Sequence, residues 1–354
     1  MKSHGANMIK PAFIAILVFG WLSLSVGQAQ TLGKEYVYNG SKLIATESPV
    51  PHVDSLSETA SSGSSTVVTV NLSDHASFSN LAVVNILINN YLNGNYACYV
   101  AVVPSVTNWI AYLVNDLGTG YSSITIPGTG NTNNSQCTLN ASQSSVVGSG
   151  TQLTVKLAIT FSSGFVGGKV MYAAVGNVGG INSGWQPAGT FFVGTPPFNV
   201  SPQSGTGSSG IFTFTFAKNG YFSDHTVVAN ILLNSALDGA NACYMAFLFD
   251  QGGRTLILVN DPGNGYQPGS VGFPPGGGIG SNNSTQVAAN SQCSIDASNS
   301  SYSLIESSGN SVMTLTLKLN FFGAAFRGDR IFYTAIQESG GSSGWQAAGA
   351  WVVQ

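Results

Sequence analysis

Charge is what this chain has least of. Of its 354 residues, 11 are Lys or Arg and 14 are Asp or Glu, 7% in all, against roughly 25% in ordinary soluble domains. No cluster of basic residues exists that could displace counterions from a phosphate backbone, which excludes a nucleic-acid partner. Disorder is excluded as well, because it needs low hydrophobicity with high net charge. Here the apolar fraction is 43% and the formal net charge −3. Cysteine is scarce too: the four Cys lack the close spacing of a zinc site, and no His recurs beside them, so no metal and no cofactor is expected. Neither an amphipathic run of helical period nor, past residue 30, an apolar stretch long enough to cross a bilayer occurs.

What remains is Gly, 44 of them, with abundant Ser, Thr and Asn, the composition of secreted β-rich modules. Residues 1–29 read as a signal peptide. Lys2 and Lys10 precede the apolar run Ala12 to Val26, and small residues at Gly27 and Ala29 suit cleavage after Ala29. The run falls short of a spanning helix, so no membrane span is expected after cleavage. The mature chain then carries nine basic and fourteen acidic residues. They are spread unevenly: between Ser65 and Gly194 the only charges are Asp74, Asp116, Lys156 and Lys169.

The chain repeats itself. Residues 83–100, VVNILINNYLNGNYACYV, match residues 228–245, VANILLNSALDGANACYM, at ten of eighteen positions without a gap. The match continues through Leu113-Val-Asn-Asp116 and Leu258-Val-Asn-Asp261, Asn134-Ser-Gln-Cys137 and Asn290-Ser-Gln-Cys293, and Ser183-Gly-Trp-Gln186 and Ser343-Gly-Trp-Gln346. Within each copy apolar residues alternate with polar ones, as at Val68, Val70 and Leu72 or Phe212, Phe214 and Phe216, the period of a half-buried strand. The expected fold is all-β, two tandem immunoglobulin-like β-sandwich domains of about seven or eight strands each. Residues 30–64 read as a polar, Ser-rich leader, 65–194 as module 1, 195–210 as a linker and 211–354 as module 2. The second copy inserts about eleven residues around Phe273 to Gly280, a stretch of loop composition expected on the surface.

Duplication also selects among disulfide pairings. Cys98 and Cys137 belong to one copy, Cys243 and Cys293 to the other, so Cys98–Cys137 and Cys243–Cys293 are expected, with four buried thiols as the alternative.

The same repeat weighs the motifs. Gly340 to Gly344 fits GxSxG, but the first copy has Asn182 at the position of Ser342, and a nucleophile elbow needs a strand-to-helix turn. Gly205 to Gly210 fits GxGxxG, yet it precedes a strand instead of opening a helix. Ser223-Asp224-His225 and Ser73-Asp74-His75 hold triad residue types as chain neighbours, which point apart along an extended chain. No catalytic residue is assigned. Two polar features do recur. Asn115-Asp116 and Asn260-Asp261, each before a Gly-rich turn, offer either a ligand or cation loop or a tight turn in which Asp accepts from backbone N–H groups. Trp185 and Trp345, with Tyr121 and Tyr266, offer either exposed stacking platforms for a sugar or packing residues.

At SGWQ with its following strand, and at the paired Cys strands, each module resembles the immunoglobulin-like and fibronectin-like sandwiches of bacterial secreted proteins. The whole pattern, over nearly all of residues 65–354, is similar to a tandem module of uncharacterised bacterial exported proteins. Its Trp follows the second Cys, where the antibody pattern places it between the two. Glu35 to Glu47 resembles the short tail of Rhs/YD-repeat proteins. The resemblance implies interaction at a protein or glycan surface outside the cell. The leading expectation is an exported, non-enzymatic adhesive or structural module. A carbohydrate-binding protein comes second, and a hydrolase using acids of module 2 alone third.

Overall fold

Strand propensity and alternation decide almost every element of the computed structural model, which describes residues 35–39, 42–47, 50–58, 61–222, 227–249, 253–283, 286–338 and 341–354. Residues 1–29, read as a signal peptide, lie outside the described residues. Glu35–Asn39 (β1) and Lys42–Glu47 (β2) pair into an antiparallel hairpin of their own.

Module 1 opens with His52–Glu58 (β3), Ser62–Gly63 (β4), Ser65–Ser73 (β5) and Leu81–Asn89 (β6). It continues through Cys98–Pro104 (β7), Trp109–Val114 (β8), Tyr121–Ile126 (β9) and Asn131–Asn133 (β10). Cys137–Ser149 (β11), Gln152–Phe161 (β12), Gly167–Asn177 (β13) and Gln186–Val193 (β14) complete it. Two sheets result, β10-β11-β12-β5-β3 and β4-β14-β13-β6-β7-β8-β9. This is the strand order of the variable-type immunoglobulin sandwich, ABED against GFCC′C″, with β9 added beyond C″.

Module 2 repeats the plan with Phe198–Ser201 (β15), Ser204–Thr206 (β16), Ser209–Asn219 (β17), Val227–Asn234 (β18) and Cys243–Phe249 (β19). Then come Arg254–Val259 (β20), Tyr266–Gly272 (β21), Gly278–Ile279 (β22), Ser281–Asn282 (β23) and Cys293–Ser307 (β24). Asn310–Phe321 (β25), Gly328–Glu338 (β26), Gly341–Ser342 (β27) and Gln346–Val353 (β28) follow. The sheets are β15-β17-β25-β24-β22 and β16-β28-β26-β18-β19-β20-β21-β23.

The alternating residues fill the space between the sheets: Val68, Val70 and Leu72 face one core with Leu153, Val155 and Leu157, and Phe212, Phe214 and Phe216 face the other. Both disulfides form as expected, Cys98–Cys137 with Cα atoms 5.6 Å apart and Cys243–Cys293 with 5.5 Å. They join the start of C′ to the start of D, across the sandwich. The Trp of SGWQ stands just before strand G.

Several boundaries move. The strand count is twelve in the first module and fourteen in the second among the described residues, above the seven or eight expected, because short edge strands carry too few residues to show a period. The leader contains β3, which pairs with β5 through a bulge between Val53 and Ser55. The bulge places Val53 and Leu56 on the core side three residues apart, which hides them from a search for alternation. Most of the supposed linker is likewise structure. β15 pairs with β17 and β16 runs parallel to β28, so the first strand of the module splits between both sheets, leaving Gly194 to Pro197 as the connection. The insertion in module 2 is no free loop: Phe273 is buried in the core, β22 adds to one sheet and β23 to the other.

The modules meet through the outer faces of their larger sheets. Leu87, Ala97, Val170 and Tyr172 of the first join Leu232, Ala242, Ile331, Tyr333 and Ala347 of the second in a third apolar cluster. Leu87, Ala97, Val170 and Tyr172 are the duplicates of Leu232, Ala242, Ile331 and Tyr333, so the junction is built from the same patch used twice. Strand β13 is buried along its whole length, with Met171, Ala173 and Val175 in its own core and Val170 and Tyr172 in the junction.

Candidate functional site

The recurring Asn-Asp segments are parts of a hydrogen-bonded clip around each disulfide. Asn115 Oδ1 accepts from the Thr119 N–H at 3.0 Å, and Asn260 Oδ1 from those of Asn264 and Gly265 at 3.1 Å. Asp116 Oδ1 accepts from Ser135 N–H, Asp261 Oδ1 from Ser291 N–H. Their carbonyls accept from Tyr96 and Asn241 at 2.7 Å, the two residues held at φ 50° and 51°. Asn134 and Asn290 complete the clip, donating to Ala97 and Val114 and to Ala242 and Val259. Each also accepts from the N–H of the Cys that follows, at 2.9 Å. The ACY, LVND and NSQC repeats thus describe one device.

SGWQ is a second one. Ser183 Oγ accepts from Val175 N–H and donates to the Gly184 carbonyl, as Ser343 does with Ile336 and Gly344. Gly184 and Gly344 take φ of 72° and 69°, a region open to Gly without cost. Asn182 and Ser342 play one part, accepting from the Gly184 and Gly344 N–H, which explains the GxSxG match as turn chemistry. Trp185 packs edge-on against Tyr99 at 5.8 Å, and Trp345 against Tyr244 at 5.7 Å. Both Trp are half-buried beside the junction cluster. Gln346 Oε1 accepts from Gly168 N–H across that junction at 2.7 Å.

The other motifs have structural roles. Asp74 is buried; burial pushes its carboxyl up, but hydrogen bonds from Asn80, Ala76 and Asn177 outweigh this and hold it below the ordinary value. Ser223 to His225 lie outside the described residues. Gly205 and Gly207 pass under Trp351, whose Nε1 donates to the Gly207 carbonyl. Among the described acids of module 2, Glu338 pairs with Lys218 at 2.6 Å, and Asp296 accepts from Asn299 and Ser298, which hold its carboxyl low. An open hollow of about 430 Å³ between the insertion and β24 is lined by that single acid, with Ser281, Asn282 and Asn320. Glycoside hydrolysis needs two.

The surface that stands out is a loop tip of module 1. The β6–β7 loop exposes Tyr91, Leu92 and Tyr96, and the β8–β9 turn exposes Leu117 and Tyr121, which is 50% accessible. The Tyr96 N–H to Asp116 carbonyl bond ties the two loops together. Tyr121 rests edge-on against Tyr112 at 4.8 Å. The scaffold beneath recurs in module 2: Asn89 Nδ2 donates to Asn93 and Asn95 carbonyls, as Asn234 does to Asp238 and Ala240. The display recurs only in part. Ala236, Asn241 and Pro262 replace Tyr91, Tyr96 and Leu117, leaving Leu237 and Tyr266, 69% accessible, exposed there.

A buried cation fixes the tip. Lys169 Nζ lies 4.3 Å over the Phe165 ring and donates to Asn90 Oδ1 at 2.6 Å and the Val166 carbonyl at 3.2 Å. Burial pushes its amine down to about 8. Arg330, its duplicate, lies over Phe326 and donates to the carbonyls of Asp329, Ala325 and Arg327.

Sequence alone singled out Tyr121 but not Tyr91, Leu92, Tyr96 or Leu117. The signal lay in the mismatches of the repeat, where two tyrosines stand opposite Ala236 and Asn241. No model of a known protein family matches the chain, and no curated protein matches it.

Proposed function

We propose that the chain is an exported, non-enzymatic surface-interaction protein, adhesive or structural in role, that contacts a protein or glycan surface through the loop tip of module 1. The observation that carries this reading is the exposed set Tyr91, Leu92, Tyr96, Leu117 and Tyr121 on a scaffold otherwise shared by both modules. Aromatic side chains supply contact area at low entropic cost, and with few charges nearby the tip suits neutral partners. Two closed disulfides suit an oxidising compartment. Immobilised glycans and purified extracellular proteins, probed with the mature chain, test it. Binding lost in the double variant Tyr91→Ser, Tyr96→Ser supports the reading, and binding unchanged in that variant contradicts it.

Carbohydrate binding is the second reading, favoured by the Tyr121–Tyr112 pair beside Asn115 and Thr119. A response confined to glycans selects it.

A further inference from the structure

Among the described residues, eight strands end the four sheets of the two modules, and seven of them are blunted. β4, β10, β16, β22 and β23 have two or three residues and β15 has four. β3 is bulged and carries His52, Asp54 and Glu58. Such shortness, bulging and charge are how sheets avoid pairing with other chains. β9 differs. Its six residues, YSSITI, are uncharged, rich in strand formers, and pair with β8 without a bulge. No backbone partner meets its outer edge among the described residues. Its counterpart β21 is bulged against β20 and covered by β23 from the insertion, so the backbone edge is paired in one copy and unpaired in the other, where the Ser122 hydroxyl of β9 meets that of Thr132 on β10.

We infer that β9 is a strand-addition site whose occupant is the β9 of a second copy, joining two seven-stranded sheets into one continuous sheet about a twofold axis. Antiparallel pairing of identical strands gives the closed, isologous contact that most homodimers use. No charge on either strand opposes it, and unpaired N–H and C=O groups on both are satisfied together.

Analytical ultracentrifugation of the mature chain is the test. The expected result is a monomer–dimer equilibrium with Kd at or below about 100 µM, shifted to monomer by the double variant Ser123→Lys, Thr125→Lys and left unchanged by Ser281→Lys on β23. Both positions on β9 are exposed. Hydrogen exchange on the unmodified chain gives an independent reading: β9 amides gain protection as concentration rises. A monomer at every concentration, a dimer that survives both lysines, or β9 amides indifferent to concentration would overturn the inference. An added extended peptide that protects β9 in a chain that stays monomeric would overturn the choice of a second copy as occupant.

Discussion

Gly168 and Gln346 are joined across the module junction, the backbone N–H of the first donating to Oε1 of the second at 2.7 Å. A Cβ at Gly168 would collide with the backbone of Ala347, so the two β-sheets approach this closely only because residue 168 has no side chain. Gly168→Val should therefore push the modules apart and destabilise the chain by about 1–3 kcal/mol. Urea unfolding measures it, and a midpoint equal to that of the unmodified protein would show that the junction is not tight.

Tyr172 and Tyr333 lie together in the same junction cluster, where their hydroxyls interact. Burial pushes Tyr172 up to about 12 and Tyr333 higher still. The unfolded chain loses these protons near pH 10 while the folded chain keeps them, so the stabilisation is complete below pH 10 and is lost as pH rises beyond it. Thermal melts between pH 9 and about 11 should fall less steeply for Tyr172→Phe, Tyr333→Phe than for the unmodified chain.

Lys169 predicts a slope of opposite sign in a lower window. Its folded value is about 8 against an ordinary 10.5, so between these values the unfolded chain binds the extra proton and stability rises with pH. The gain, on the order of 2 kcal/mol, should be missing from Lys169→Met. Parallel slopes in the two proteins between pH 8 and 10 would refute the assignment.

Asn290 serves four backbone groups at once. Asn290→Ala leaves two carbonyls and two N–H groups without it, at a cost of about 1–3 kcal/mol, whereas Asn264→Ala on the exposed turn should cost little. With Asp261 Oδ1 already accepting from Ser291 N–H, calorimetric titration with Ca²⁺ should give no strong binding, and a saturable strong signal abolished by Asp261→Ala would restore the cation-loop reading.

The parts legible in the sequence are those where one local signal acts alone. Alternation at Val68 to Leu72 and at Phe212 to Phe216 places core strands because each faces one core and, otherwise, solvent. The repeat pairs the cysteines correctly because each copy closes its own loop. Where two constraints overlap, the signal vanishes. Val53 and Leu56 lose their period to a bulge, and Phe198 to Ser201 is too short to show one. Strand β13 reads GGKVMYAAVGN, without alternation, because both of its faces are covered. The tip tyrosines were hidden for a different reason: recurrence picks out the scaffold, Asn89 and Asp116, while Tyr91 and Tyr96 belong to one copy only.

The two modules share one scaffold but differ at Tyr91 and Tyr96 of the first tip, and binding measured on both tips separates scaffold from display. Equilibrium binding to the strongest partner found on the arrays should weaken about tenfold or more in Tyr91→Ser, Tyr96→Ser, in keeping with the loss of buried aromatic anchors, with the melting temperature unchanged. It should remain intact in Leu237→Ser, Tyr266→Ser at the tip of module 2. Equal losses from both tips, or none from the first, would contradict the account.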